Sequence, residues 1–378
     1  MSLAQGDASL RALETRPLFD KFPALKNKIP WVKLGEFPTP IQKLTRLGEP
    51  LGLSELYCKR DDLTSAEYGG NKVRNLEFIL GDVKRLGRKS VLTLGTWGSN
   101  QIMATAFFAK KLGMKSVCVM LPQAAQEYAR KNLLIVWGLG CELNSAKGNT
   151  PVAFKLGSVY FRRWLKRERP YFVWPGGSSP LGTLGYVNAG LEIADQVRQG
   201  VMPEPDFIFC AAGSLGTFVG LVLGMKLAGL KTKVLGVRVY DQFAANSYMA
   251  RRLAQNTLKL LKTNDPSIPE LRLNASDFVL LHNYFGKEYA APTKTGLEAI
   301  ALAKNLEGLK LDGTYTGKTL SAIIDWARKS ELKNKVTLFH NSYNSRPLEN
   351  LVPAFPSWQE LPKPFHHCFT GEILGPDD

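Results

Sequence analysis

Histidine is scarce in this chain of 378 residues: His282, His340, His366 and His367 are the only four. None stands at zinc-ligand spacing from a cysteine, so no metal centre is expected. The cysteines, at 58, 118, 141, 210 and 368, are odd in number and unpaired in spacing. That argues against a disulfide framework and for a reducing compartment. No run of eighteen apolar residues occurs, and no membrane span is expected. The amino-terminal stretch is broken by Asp7, Arg11, Glu14, Arg16 and Asp20, so it holds no secretory apolar segment. The expected location is cytoplasmic. A Gly-x-Ser-x-Gly elbow is also missing, which removes the usual serine hydrolase arrangement.

The composition that remains is that of a globular protein, with 44% hydrophobic and 22% charged residues. The length suits two domains better than one core. A net charge of +16 is the unusual bulk property, and Arg162-Arg163-Trp164-Leu165-Lys166-Arg167 with Arg169 is its densest run. No nucleic-acid module accompanies it, so the run reads as the solvated face of a helix. A general positive field also draws in an anionic cofactor or a carboxylate substrate.

From Ser90 onward, short apolar strands alternate with helices, the pattern of parallel sheets covered on both faces. Ahead of that pattern lies Tyr68-Gly69-Gly70-Asn71-Lys72-Val73-Arg74-Asn75-Leu76. Val73, Leu76, Leu80, Val83 and Leu86 recur at three- and four-residue steps, which predicts a helix running to about Gly87. Lys72 falls in its first turn, beside free N–H groups and the positive end of the helix dipole. A lysine desolvated there can lose its proton and attack a carbonyl. A surface lysine after a glycine turn is the plainer alternative.

Gly213-Ser214-Leu215-Gly216-Thr217 joins a strand to a helix. Its glycines, hydroxyls and helix start make a cup for a phosphate. It lacks the Gly-Lys-Ser/Thr ending of a P-loop and is not a dinucleotide fingerprint; an ordinary tight turn is the alternative. Ser99-Asn100-Gln101 opens another helix, either as a plain cap or as a ligand-facing set. An attacking lysine, an asparagine at a helix start and a separate phosphate cup are the parts needed to hold pyridoxal 5'-phosphate.

At this point the chain resembles the D-cysteine desulfhydrase and 1-aminocyclopropane-1-carboxylate (ACC) deaminase family of pyridoxal-phosphate enzymes. The resemblance rests on Gly69-Gly70-Asn71-Lys72, Gly98-Ser99-Asn100-Gln101 and Pro175-Gly176-Gly177-Ser178 with Leu184-Gly185-Tyr186. Further on it includes the turn at 213–217 and Glu307-Gly308 followed by Tyr315-Thr316-Gly317-Lys318. It spans roughly residues 35 to 343. It implies an α/β, two-domain, tryptophan-synthase-β-like fold (PLP fold type II) with the cofactor in the interdomain cleft. The expected large domain comprises 1–85 and 188–345, the small one 86–187, with 346–378 a Pro-rich wrapping tail. A homodimer acting on a small amino acid is implied as well.

Residue by residue, the resemblance assigns Lys72 to the cofactor aldehyde and to proton transfer, and Asn100 to the ring hydroxyl. Gly213, Ser214, Leu215, Gly216 and Thr217 take the phosphate, while Ser99 and Gln101 receive the substrate carboxylate. Tyr289 and Tyr315 match the two active-site tyrosines, and Thr316 the residue facing the ring nitrogen. ACC deaminases carry glutamate at that last position. A threonine hydroxyl cannot keep the ring protonated at neutral pH, which weakens the electron sink and favours β-elimination of a good leaving group such as a thiol.

The chain also departs from the family pattern. Gly98 replaces a common glutamine, Leu215 a common glycine, Ala290 a glycine after Tyr289, and His340-Asn341-Ser342-Tyr343 a His-x-Gly-Gly. Asn341 and Tyr343 are expected to crowd the substrate side. These departures leave ACC deaminase, or a cofactor binder with little turnover, as alternatives to a D-cysteine desulfhydrase-like lyase.

Overall fold

The computed structural model describes residues 16–146 and 151–373. In chain order its strands are β1 (Ile41–Lys43), β2 (Leu56–Lys59), β3 (Ser90–Thr96), β4 (Lys115–Leu121) and β5 (Glu142–Ser145). There follow β6 (Tyr171–Val173), β7 (Phe207–Ala212), β8 (Lys233–Arg238), β9 (Val279–Leu281) and β10 (Thr337–His340). They form a six-stranded sheet in the order β1-β2-β10-β7-β8-β9 and a four-stranded one in the order β5-β4-β3-β6. All pairs are parallel except β1 with β2. Runs such as Val117-Cys118-Val119 and Ile208-Phe209-Cys210 are buried on both faces, as helix-covered parallel strands must be.

The covering helices are α1 (Lys72–Arg85), α2 (Asn100–Lys111), α3 (Glu127–Gly138), α4 (Val152–Leu165) and α5 (Pro180–Arg198). After them come α6 (Gly216–Ala228), α7 (Ser247–Asn264), α8 (Lys294–Glu307) and α9 (Thr316–Arg328). Helix α6 is apolar around nearly its whole circumference and accordingly buried almost throughout. It crosses α5 at two glycines, where a Cβ on Gly190 would lie 2.8 Å from the Cα of Gly224.

Two expectations are adjusted by the packing. The division at 187 falls inside α5, whose Leu184, Tyr186, Val187 and Leu191 belong to the core of the six-stranded sheet. The stripe of α1 holds at Val73, Leu76, Leu80 and Val83, which pack with the four-stranded layer. Leu86, however, lies past the helix end and is exposed. In the tail, Leu351, Val352, Leu361 and Phe365 are buried in the core of the four-stranded layer. Within α4 and just after it, the basic run is partly paired: Arg163 is engaged by Glu142 and Glu168.

Behind α1 sits a buried ionic cluster. Arg74 donates from Nε and Nη2 to Asp61 at 2.8 and 2.7 Å, and from Nη1 to Glu192 at 2.8 Å. Lys59 donates to Glu192 at 2.6 Å and to the Thr39 carbonyl at 2.7 Å. The Tyr186 hydroxyl and His340 Nε2 close on Asp61 at 2.8 and 2.9 Å. Burial alone would push both carboxyls up; the cations override it, holding Asp61 well below its ordinary range and Glu192 down to about 2. Arg74→Ala leaves two carboxylates buried against a single lysine. A loss of about 3–5 kcal/mol is expected, read as a lowered denaturation midpoint; an unchanged midpoint would show the cluster to be energetically neutral.

Candidate functional site

The carboxyl ends of β2, β3, β7, β8 and β10 open toward a cavity of about 450 Å³, where open parallel sheets place their ligands. After β2 the chain turns sharply into α1. A Cβ on Gly69 would lie 2.0 Å from the Asp62 carbonyl oxygen, and Gly70 has φ +91°, so both positions need glycine. Asn71 donates its backbone N–H to the Ser342 carbonyl at 3.1 Å and its side-chain amide to the Thr217 hydroxyl at 3.0 Å. The next residue, Lys72, begins α1 and donates Nζ to the Gly176 carbonyl at 3.2 Å. Burial lowers its ammonium to about 8.

After β7 the chain forms the cup expected from its glycines. Leu215 takes the left-handed conformation at φ 73° with its side chain in the core, a backbone conformation that glycine adopts at less cost. Ser178 closes the rim. Its Oγ lies 2.8 Å from the Ser214 hydroxyl and accepts the Gly216 N–H at 3.0 Å. A Cβ on Gly176 would lie 1.9 Å from Ser214 Oγ. Backbone N–H groups at the start of α6 and the hydroxyls of Ser178, Ser214 and Thr217 thus converge, a donor set suited to a phosphate.

After β3, Ser99 caps α2 by accepting the Ile102 N–H at 3.4 Å. Asn100 accepts Asn132 Nδ2 on its Oδ1 at 3.1 Å, so its own Nδ2 remains as the donor for a ligand. Gln101 is turned inward: Nε2 donates to Thr105 at 2.9 Å while Oε1 is buried without a partner. It still lines the cavity, and the second Nε2 hydrogen joins the N–H groups of the first helical turn as donors for a carboxylate. Gly98 is explained by two neighbours: a Cβ there would lie 2.5 Å from the Ala129 Cβ and 2.8 Å from the amide nitrogen of Gln123, which accepts the Gly98 N–H at 3.1 Å.

At the opposite wall the Tyr289 and Tyr315 hydroxyls hydrogen-bond each other. Burial pushes both phenols up, so both keep their hydrogens at neutral pH. Ala290 after Tyr289 adopts φ 71°, again a left-handed conformation that glycine takes more readily. Asn341 is the misplaced candidate. It is fully buried, contacts the Lys310 carbonyl and accepts the Tyr343 N–H at 3.3 Å. Ser342 and Tyr343 line the cavity in its place.

Thr316 begins α9, fully buried, and donates its hydroxyl to Asp312 Oδ2 at 2.8 Å. Asp312 lines the cavity, which Thr316 does not, and no motif in the sequence marks it.

The geometry can be compared with known proteins. A family model described as pyridoxal-phosphate dependent enzyme matches residues 32–342. A D-cysteine desulfhydrase from Klebsiella pneumoniae is 33% identical over 313 residues, 82% of this chain and 92% of the relative. A Pyrococcus abyssi protein provisionally named 1-aminocyclopropane-1-carboxylate deaminase is 33% identical over 341 residues, 88% of this chain and 99% of the relative. A crystal structure described as an ACC deaminase homologue is 30% identical, covers 88% of this chain and 99% of its own, and superimposes with a TM-score of 0.74. The processed form of threonine deaminase isoform 2 from Solanum lycopersicum, at 16% identity and a TM-score of 0.56 over 89% and 93% of the two chains, shares the fold.

The chain belongs to the pyridoxal-phosphate dependent enzymes, with the type II fold of these neighbours. The resemblance read from its motifs is borne out. An anion cup and a desolvated amine on one cavity fit that cofactor. In cofactor-free protein, labelling of Lys72 by pyridoxal 5'-phosphate, fixed with borohydride and mapped by peptide, is expected to accelerate with pH and level off above about 8. Only the neutral amine attacks, and burial lets it form early. A rate still rising toward 10.5, the ordinary lysine value, would contradict the desolvation.

Proposed function

We propose that this enzyme is a lyase that removes the α-proton of a small amino acid and eliminates its β-substituent, as a D-cysteine desulfhydrase does, giving an oxo acid, ammonia and sulfide. The observation that carries the proposal is Lys72, among the described residues the one lysine on a cavity that also holds the phosphate cup. Gly213, Ser214, Leu215, Gly216 and Thr217 would hold the phosphate, Asn100 Nδ2 the ring hydroxyl, Lys72 the aldehyde carbon, and Thr316 the ring-nitrogen end. The bound cofactor supplies an electron sink for the carbanion left when the α-proton departs.

The remaining work falls to the chain. Ser99 and the first N–H groups of α2 orient the substrate carboxylate. The Lys72 amine, neutral near pH 8, takes the α-proton. Tyr289 and Tyr315, protonated and bonded to each other, hold a hydrogen for the leaving group. Thr316, a hydroxyl where ACC deaminases have a carboxylate, favours a thiol as that group. A cytoplasmic location is supported by the buried thiols of Cys58, Cys118, Cys141 and Cys210, and a homodimer by the family resemblance.

ACC deaminase is the second reading, favoured by one observation: the Asp312 carboxylate stands directly behind the Thr316 hydroxyl. Products separate the two. Sulfide and pyruvate from D-cysteine are expected, with Lys72→Ala losing the visible absorbance band and about 10²–10⁴ of the turnover. 2-Oxobutyrate from the cyclopropane acid would transfer the assignment to the second reading. Retained cofactor with no product from D- or L-amino acids would mark a binder with little turnover.

A further inference from the structure

Four tyrosines line the cavity, and their hydroxyls are not alike. Those of Tyr289 and Tyr315 bond each other, so the pair has one hydrogen left for a ligand. Tyr240 stands beside the phosphate cup, where a Cβ on Gly213 would lie 3.9 Å from its own Cβ. Tyr343 is the remaining one. Its backbone N–H goes to Asn341 at 3.3 Å, but among the described residues its hydroxyl has no hydrogen-bond partner. Burial, and after it the negative charge of Asp312, push this phenol up to about 12, so it keeps its hydrogen at neutral pH.

The chain holds Tyr343 on the side of the amine. The Ser342 carbonyl accepts the Asn71 N–H at 3.1 Å, and Asn344 Oδ1 accepts the Gly69 N–H at 2.8 Å. Both neighbours of Tyr343 are thus pinned to the turn that ends in Lys72. A Cβ on Gly70 would lie 3.4 Å from the Tyr343 carbonyl carbon. Asp312 marks the same corner. Its carboxylate is held by the N–H groups of Thr314 and Tyr315 at 2.9 and 2.6 Å and by the Thr316 hydroxyl. Its charge adds to the burial that pushes up the Tyr315 and Tyr343 phenols alike, so both border this part of the cavity.

In the lyase reading Lys72 takes the α-proton, which puts the substrate's α-carbon at its amine and the β-substituent one bond further out. The donors assigned above serve the phosphate, the ring hydroxyl and the carboxylate. A sulfur or oxygen on the β-carbon has lone pairs for more than one donor, yet it is left with the single hydrogen of the Tyr289–Tyr315 pair. We propose that Tyr343 is a specificity-determining residue that donates its phenol hydrogen to this sulfur or oxygen, while its ring limits the size of what that atom carries. The proposal rests on the lyase reading and narrows its substrate class to amino acids with a free thiol or hydroxyl on the β-carbon.

The test compares alanine, serine and cysteine, in the handedness the enzyme takes, on the wild-type holoenzyme and on Tyr343→Phe, which loses the hydroxyl alone. Affinities for alanine and serine are read from the initial change of the visible band and need no turnover; cysteine is read as kcat/KM for sulfide release. Alanine has no β-heteroatom, and its affinity is expected to stay the same in Tyr343→Phe. Serine affinity and the cysteine kcat/KM are expected to fall roughly 3–10-fold, the loss of one hydrogen bond. Tyr343→Gly is expected to show the same losses and also to turn over S-benzylcysteine, which the wild type refuses. Unchanged serine and cysteine values in Tyr343→Phe overturn the proposal. An equal fall for alanine does so too, because it puts the phenol on the amino or carboxylate group, and turnover of S-benzylcysteine by the wild type removes the size limit. Should Tyr343→Phe fail to fold or load, Tyr343→Gly decides by the same comparison of alanine with serine. A wild-type band that responds to no amino acid sinks the lyase reading, and this proposal with it; sulfide release that is the same in wild type and Tyr343→Phe sinks the proposal alone.

Discussion

The structure depends on Arg74 being held between Asp61 and Glu192. Two residues along a helix turn the side chain through about 200°, so whatever fixes Arg74 on the back of α1 aims Lys72 at the front. Asp61 comes from the turn after β2, Glu192 from α5 and His340 from the end of β10. One guanidinium thereby sets the helix against the strand before it, the helix beside it and the last strand of the sheet. The cluster balances two cations with two carboxylates, so its charges are mutually neutralised in the buried interior. What it supplies is orientation, since a buried ion pair of this kind gains little net stability over a well-packed apolar core.

The cavity in front of α1 is organised on the opposite electrostatic plan. The amine of Lys72 is desolvated and lacks a carboxylate partner, and the cup after β7 is a ring of donors. Across from them Asp312 is an anion held by dipoles alone. These charges are left uncompensated by the protein, and each matches one part of an anionic, ring-containing ligand. Side chains in the core are satisfied by their neighbours; at this cleft the neighbours are deliberately too few. The chain's overall positive charge adds a long-range pull on the same kind of ligand.

Much of this was legible in the sequence. Strand–helix alternation gave the parallel layers, and glycine clusters next to serine, asparagine and lysine marked three of the strand ends that build the cleft. Those signals are local: a tight turn, a helix start and an anion cup are each encoded within about six consecutive residues. Non-local facts stayed hidden. The register that turns Asn341 inward while presenting Tyr343, the inward swing of Gln101 toward Thr105, and the assignment of α5 to the larger core all depend on packing between distant segments. Asp312 belongs to no motif, and that its carboxylate reaches the cavity wall is likewise a matter of packing.

Gly98 has a consequence for how this cleft could change over time. A Cβ there would lie 2.5 Å from the Ala129 Cβ and 2.8 Å from the Gln123 amide nitrogen, so a larger residue at 98 meets two neighbours at once. Shortening Gln123 by itself would unpair the Gly98 N–H and still leave Ala129 in the way. Substitutions at 98, 123 and 129 are therefore expected to be non-additive: one small volume is shared by three positions and can be reassigned only among all of them.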